Sequence, residues 1–182
     1  TYRHDIYPEY KANRRETDPG IEKWKPYLKE HIMENWKFDL VPKLEADDAV
    51  AILQNSIENT ILCSPDKDLK QIVGDHYDYK KGTKVYISED KGAYNWAFQM
   101  LVGDSGDNIK GIVGVGPKKA EKIINSCMTK EQLKEAVITA YGVNTASYEL
   151  HEKLVGMGTF GDFSRLKKAV NTFNLAEADS SY

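Results

Sequence analysis

The chain sets acidic residues in groups at three boundaries between apolar segments: Glu45-Ala-Asp47-Asp48, Asp66-Lys-Asp68 and Asp104-Ser-Gly-Asp107. The first two follow FDLVPKL (Phe38–Leu44) and TILCS (Thr60–Ser64), short runs that read as strands. Glu45 with Asp48, and Asp104 with Asp107, have the i, i+3 spacing that shares one helix face. In α/β folds, residues just beyond the carboxyl ends of strands gather at one edge, where ligands bind. Seven carboxylates drawn to one pocket raise one another's pKa values unless cations lie among them. Hard divalent ions such as Mg²⁺ or Mn²⁺ suit oxygen donors of this kind. Acids at helix starts also cap free amides, and Asp66 and Asp68 in SPDKDL fit that plainer role. Three such groups together favour a shared metal site.

The surrounding pattern alternates. IEKWKPYLKEHIMENW (Ile21–Trp36) has Trp24, Tyr27, Leu28, Ile32 and Trp36 at helical spacing. Trp24, Trp36 and Trp96 are accordingly expected in the core. EADDAVAILQNSI and DKDLKQIV read as helix starts, and HYDYKKGTKVYIS as a hairpin turning around Lys81-Gly82. Residues 91–102, the segment from Pro117, the segment capped at Thr129 and ending at Gly142, and a stretch from about Ser147 to Phe173 read as helices. Strands alternating with helices predict an α/β core followed by a helical lobe, divided near residues 90/91. At 182 residues the chain is long enough to bury a real core.

Composition removes several alternatives. No apolar run approaches the roughly 18 residues of a membrane helix, and no secretory pattern is present. Cys63 and Cys127 have neither metal nor redox spacing, which points to a reducing, cytoplasmic setting. His4, His31, His76 and His151 are scattered, so zinc is not expected. The net charge of −3 speaks at first against nucleic acid. Removing seven metal-facing acids from 28 leaves 21 against 25 Lys and Arg, an excess of four positive charges elsewhere.

GIVGVGPKKA (Gly111–Ala120) joins Gly111, Gly114 and Gly116 to a helix opened by Pro117 and carrying Lys118 and Lys119. Small residues and a helix N-terminus let a backbone approach phosphate closely. The pattern resembles the hairpin of helix-hairpin-helix modules, which grip the DNA backbone without reading sequence; a plain glycine turn between packed helices is the simpler alternative. Two divalent ions about 3.5–4 Å apart are the usual clamp for phosphodiester hydrolysis, so acids and lysines together suggest chemistry on a nucleic-acid backbone.

PEYKANR (Pro8–Arg14), EADD (Glu45–Asp48), SPDKDL (Ser64–Leu69) and GDSGDNIKGIVGVGPKKA (Gly103–Ala120) stand in the order and at the intervals of the 5′-nuclease family. The chain resembles the flap endonucleases, bacteriophage 5′→3′ exonucleases and the 5′-nuclease domain of bacterial DNA polymerase I over about residues 2–125. The resemblance implies a PIN-like α/β fold with a central, mainly parallel sheet flanked by helices. A helical arch (region 5–37) and a helix-three-turn-helix motif (about 100–125) complete it, in one compact unit. It implies Mg²⁺ or Mn²⁺ held by Glu45, Asp47, Asp48, Asp66, Asp68, Asp104 and Asp107, with the last two at the more outlying position. Lys11 and Arg14 match basic residues that contact the scissile phosphate, and Tyr10 an aromatic that stacks on an unpaired base. Lys110, Gly111, Gly114, Gly116, Lys118 and Lys119 match the DNA-gripping hairpin, whose turn in the family also holds K⁺ through the backbone carbonyls of Gly111, Gly114 and Gly116. DNA with a 5′ flap, overhang or nick is the implied substrate, an RNA–DNA hybrid an allowed one, and a replication polymerase or single-strand-binding protein an allowed partner. The implied setting is a bacterial or phage-infected cell.

One departure keeps a second function open. The family begins with a strand bearing an Asp, and a second Asp precedes the pair that Tyr2-Arg3 matches; the sequence starts after both. A longer chain, a second polypeptide supplying the strand, or a fragment would each explain this. A non-catalytic DNA-junction-binding module is therefore the alternative to a metal-dependent nuclease.

Overall fold

A computed structural model describes residues 1–36 and 44–157. The strand expected over Phe38–Leu44 and the helix expected beyond residue 157 lie, but for Leu44, outside the described residues. TILCS forms β1 (Ile61–Cys63), ending just before Pro65. β1 pairs in parallel with β2 (Gly74–Asp78), Leu62 opposite His76. β2 pairs antiparallel with β3 (Thr83–Ile87), His76 opposite Val85. Between them Asp78 Oδ1 accepts from the amides of Lys80 (3.1 Å) and Lys81 (3.2 Å), and Gly82 takes φ 64°. The expected hairpin is present. A turn this short cannot carry a parallel crossover, so among the described residues the sheet is mixed rather than mainly parallel.

DKDLKQIV makes a single 3₁₀ turn, Asp68–Gln71, rather than an α-helix. Leu69 and Ile72 are both buried, and residues three apart eclipse in 3₁₀ geometry, so one tight turn seats both before the chain enters β2. They meet Ala51, Leu62 and Met157 in a small core beneath the sheet.

The helices are α1 (Tyr2–Ile6), α2 (Pro19–Asn35), α3 (Ala46–Ser56), α4 (Glu89–Val102), α5 (Pro117–Ile124), α6 (Lys130–Tyr141) and α7 (Thr145–Val155). α4 is the axis of the larger core. Its Ala93, Trp96, Ala97, Met100 and Leu101 are sealed by Ala120 and Ile124 of α5, Leu133 and Val137 of α6, and Leu154 and Val155 of α7. The Tyr141 hydroxyl donates to the Met100 carbonyl (2.7 Å) and meets His151 Nδ1 (2.7 Å), fastening α6 to α4 and α7.

α4 ends at Gly103, and the chain doubles back through β4 (Gly103–Asp104) and β5 (Ile109–Lys110). Gly103 has φ 78°, and a Cβ there would lie 2.3 Å from the Ile109 carbonyl oxygen; a Cβ on Gly111 would lie 2.2 Å from the Val102 carbonyl carbon. Both glycines exist for close backbone packing. Gly111, expected at a DNA-facing turn, is thus part of the packing that positions the Asp104–Asp107 loop.

α2 buries none of its residues. Trp24 is 64% exposed and Trp36 70%, against 0% for Trp96, so the core assignment holds for Trp96 and is corrected for the other two. Periodicity shows that a helix has an apolar face, not that anything covers it. Trp24→Ser should therefore change stability by less than about 0.5 kcal/mol in urea unfolding; a loss above about 1 kcal/mol would mean that α2 is packed. No described helix is long and apolar enough to cross a membrane.

Candidate metal centre

The site forms where the first turn of α3, the 3₁₀ turn, the β4–β5 loop and the segment after α1 meet. Glu45, Asp47, Asp68, Asp104 and Asp107 line one cavity together with Arg3, Tyr10 and Gln99, and Ile109, Leu154, Val155 and Met157 close its apolar side. Its volume is about 20 Å³, room for about one water-sized occupant. Five of the seven expected acids thus share a wall. Asp66 is exposed at the rim, its Oδ1 accepting from the Asp68 amide (2.9 Å), and its charge acts on both Asp47 and Asp68.

Asp48 has a different place from the one expected. It is wholly buried, and Arg3 of α1 grips it bidentately, Nη1 to Oδ2 at 2.5 Å and Nη2 to Oδ1 at 2.7 Å. Oδ2 also accepts from the Glu45 amide at 3.4 Å, an N-terminal cap for α3. Arg3 Nε donates to the Leu154 carbonyl (2.8 Å), so the same side chain anchors α7. Burial opposes the guanidinium charge, but the Asp48 bond and field outweigh it and raise the Arg3 pKa. Both Asp48 oxygens are held by Arg3, and Asp48 is not among the residues that line the cavity.

Tyr10 also departs from expectation. Only 2% exposed, its ring has no free face for a base. Its hydroxyl reaches Glu45 Oε2 (2.7 Å) and Asp107 Oδ2 (2.9 Å) and acts as a strut between two acids. Burial, then those two bonds, raise its pKa.

Lys11 and Arg14 pair with two acids of the cavity wall, Glu45 and Asp107. Lys11 adopts φ 59°, a left-handed conformation unusual outside glycine. Its amide donates to the Asp107 carbonyl (2.9 Å), and its ammonium pairs with Glu45 Oε1 and lies 3.8 Å from Asp107. Arg14 Nη2 donates to Asp107 Oδ1 at 2.6 Å. Asn13 Nδ2 to the Ser105 carbonyl (2.6 Å) and Asn108 Nδ2 to the Glu9 carbonyl (2.8 Å) complete the docking of the two loops.

The electrostatics divide the acids into two sets. Burial would raise Glu45, but bonds from Lys11 and Tyr10 and the fields of Lys11 and Arg3 hold it below its ordinary value. Asp47 is raised by burial and by Asp66, Glu45 and Asp48. Asp68 is pushed up to about 7, by burial first and the Asp104 charge next. Among the described residues no three His, Cys, Asp or Glu side chains stand in a ready ligating arrangement, and Glu45 and Asp107 are engaged by Lys11, Arg14 and Tyr10. The donor set still fits a hard cation: oxygen-only, crowded, and with Asp47 and Asp68 destabilised by neighbouring negative charge.

At the glycine turn, Lys110, Lys118 and Lys119 are exposed. Gly114 (φ 75°) and Gly116 have open space where a Cβ would stand. The Gly116 carbonyl accepts from the Lys119 (3.0 Å) and Ala120 (2.9 Å) amides and the Gly114 carbonyl from Lys119 Nζ (3.4 Å), so two of the three carbonyls expected to hold K⁺ already have donors. Sequence reasoning missed Gln71 and Gln99. Gln99 is the one polar residue of WAFQMLV (Trp96–Val102), and that interruption was the available signal.

Comparison with known proteins agrees with this architecture. Residues 1–97 match the family model described as 5′-3′ exonuclease, N-terminal resolvase-like domain. The chain is 30% identical over 156 residues to DNA polymerase I of Bacillus subtilis, covering 75% of this chain and 18% of that protein. It is 32% identical over 155 residues to a 5′-3′ exonuclease of the same organism, covering 74% and 51%. The chain therefore spans from about a fifth to about half of these relatives. The T5 D15 protein co-crystallised with metal ions superposes with a TM-score of 0.71 at 18% identity, over 94% of this chain and 78% of that one. The bacteriophage T5 flap endonuclease in a pseudo-enzyme-product complex with DNA and metal ions gives 0.58 at 18% identity, over 84% and 80%.

Proposed function

Since the chain belongs to the 5′-3′ exonuclease family, through its N-terminal resolvase-like domain, we propose that it is a divalent-metal-dependent, structure-specific 5′-nuclease that hydrolyses DNA phosphodiesters in replication or repair. The observation that carries this reading is the convergence of Asp47, Asp68 and Asp104, from separate segments, on one cavity. These three, with Glu45, Asp66 and Asp107, would hold Mg²⁺ or Mn²⁺. Such ions would supply a water of lowered pKa and charge neutralisation at the scissile phosphate.

The chain's own residues do the rest. Lys11 and Arg14 bring cationic heads to the cavity mouth, where they suit the charge that develops on phosphate oxygens. They are tethered there by Glu45 and Asp107, so a ligand that draws those acids inward frees both cations for the substrate. Leu154, Val155 and Met157 exclude water from the closed side of the cavity. Exposed Lys110, Lys118 and Lys119 and the open backbone at Gly114 and Gly116 suit the phosphates of a duplex arm.

The test is cleavage of a labelled duplex bearing a 5′ flap by the complete protein, in Mg²⁺ and in EDTA. Cleavage near the flap base in Mg²⁺ alone is the expected result. Junction binding without cleavage in either condition would overturn the nuclease reading in favour of a binding module.

A further inference from the structure

Gln71 is completely buried although it lies outside the acidic wall. Its Nε2 donates to the Val155 carbonyl (3.1 Å) and to Gln99 Oε1 (2.5 Å), while the Met157 amide approaches its Oε1 at 3.4 Å. A backbone carbonyl only accepts and a backbone N–H only donates, so the Gln71 amide has a single satisfying orientation. That orientation presents an N–H to Gln99, whose oxygen must then face Gln71 and whose NH₂ must face away. On that side Gln99 Nε2 donates to Asp68 Oδ1 (2.9 Å) and Asp104 Oδ2 (3.3 Å).

We propose that Gln99, held by Gln71, is a positioning residue for the acidic centre: its amide ties Asp68 to Asp104 and fixes which of their oxygens face a bound divalent cation. The inference rests on the metal-centre reading above. Asp104 Oδ1 is already held by the Gly106 amide (2.8 Å), so Gln99 completes the orientation of that carboxylate and fixes one oxygen of Asp68. A neutral amide suits the position. It donates to two crowded carboxylates and relieves their repulsion, yet adds no positive charge to repel an incoming cation. Partners that orient ligating carboxylates typically contribute about 10–100-fold in metal affinity.

Calorimetric titration of the full chain with Mn²⁺, in the absence of DNA, tests this on native protein, Gln99→Met and Gln71→Met. Methionine keeps the length of glutamine and removes both hydrogen-bonding groups. Gln99→Met should bind Mn²⁺ about 10–100-fold more weakly, and Gln71→Met should move in the same direction by less. In the flap assay the Mg²⁺ concentration for half-maximal cleavage should rise with the same order, the rate at saturating Mg²⁺ being better preserved. A purely structural role would lower the folded fraction and leave that midpoint in place. Gln99→Met with native Mn²⁺ affinity overturns the inference while leaving the metal centre intact; should that variant not fold, Gln71→Met with native affinity does so. Native protein that binds no Mn²⁺ overturns the metal centre and this inference with it.

Discussion

Replacing Arg3 by leucine is expected to destabilise the protein by about 3–5 kcal/mol, the usual consequence of leaving one member of a buried ion pair unpartnered. Arg3 is 2% exposed and Asp48 0%, so water cannot solvate the stranded carboxylate. The substitution also removes the donor to the Leu154 carbonyl, and with it a link between α1 and α7. Asp48→Leu alone should be similarly damaging, because it strands the guanidinium. Arg3→Leu with Asp48→Leu should recover most of the loss, since two apolar groups of similar volume can replace a buried pair at little net cost. Urea unfolding of the four proteins measures this as a double-mutant cycle. A loss below about 1 kcal/mol for either single variant would show that Asp48 is not committed to Arg3.

Asp68→Asn should make the metal-free protein more stable at pH 8, by about 2–4 kcal/mol. Asp68 is raised from 3.8 to about 7 by burial and by the Asp104 charge. A carboxyl held above its unfolded value favours the folded state most when protonated. That advantage is complete below about pH 4 and is lost as pH rises through about 7. Asparagine resembles the protonated acid at every pH, so the variant's lead should appear over that window and vanish at pH 4. Saturating Mg²⁺ should reverse the order, because the native carboxylate then gains a cation. Cleavage by the variant should fall by more than about 100-fold, beyond the loss expected for outer partners of a metal ligand. Thermal unfolding in EDTA and in Mg²⁺ at pH 4 and pH 8 reads the stability terms directly. Equal stabilities at pH 8 in EDTA would show that Asp68 carries no such burden.

Much of the fold was legible because local chemistry and tertiary packing agree. Pro117 opens α5, Thr129 caps α6 through the Gln132 amide (3.4 Å) and Gly142 ends it, each a signal read within a few residues. The meeting of the acids was legible too, since they lie beyond segments that an α/β fold brings to one edge. The role of each acid was not. Asp47 and Asp48 are adjacent, yet one faces the cavity and the other faces Arg3, a contact set by where α1 lands. Tyr10 was expected to stack on a base because it matches an aromatic position of the family; its burial follows from loop contacts with Ser105 and Asp107. α2 has the periodicity of a packed helix and the exposure of an unpacked one, and no property of its own sequence separates the two. Gln71 and Gln99 carry no motif; what marks them is a chain of hydrogen bonds that runs from the Val155 carbonyl through both amides to Asp68 and Asp104.

The most direct test of the central claim is anomalous scattering from crystals of this chain grown or soaked with Mn²⁺. The account predicts a manganese peak bounded by the side-chain oxygens of Asp68 and Asp104, with Asp47 and Asp66 at the same cluster and Asp48 still held by Arg3. Manganese seated elsewhere, or no peak at those carboxylates under saturating metal, would contradict it.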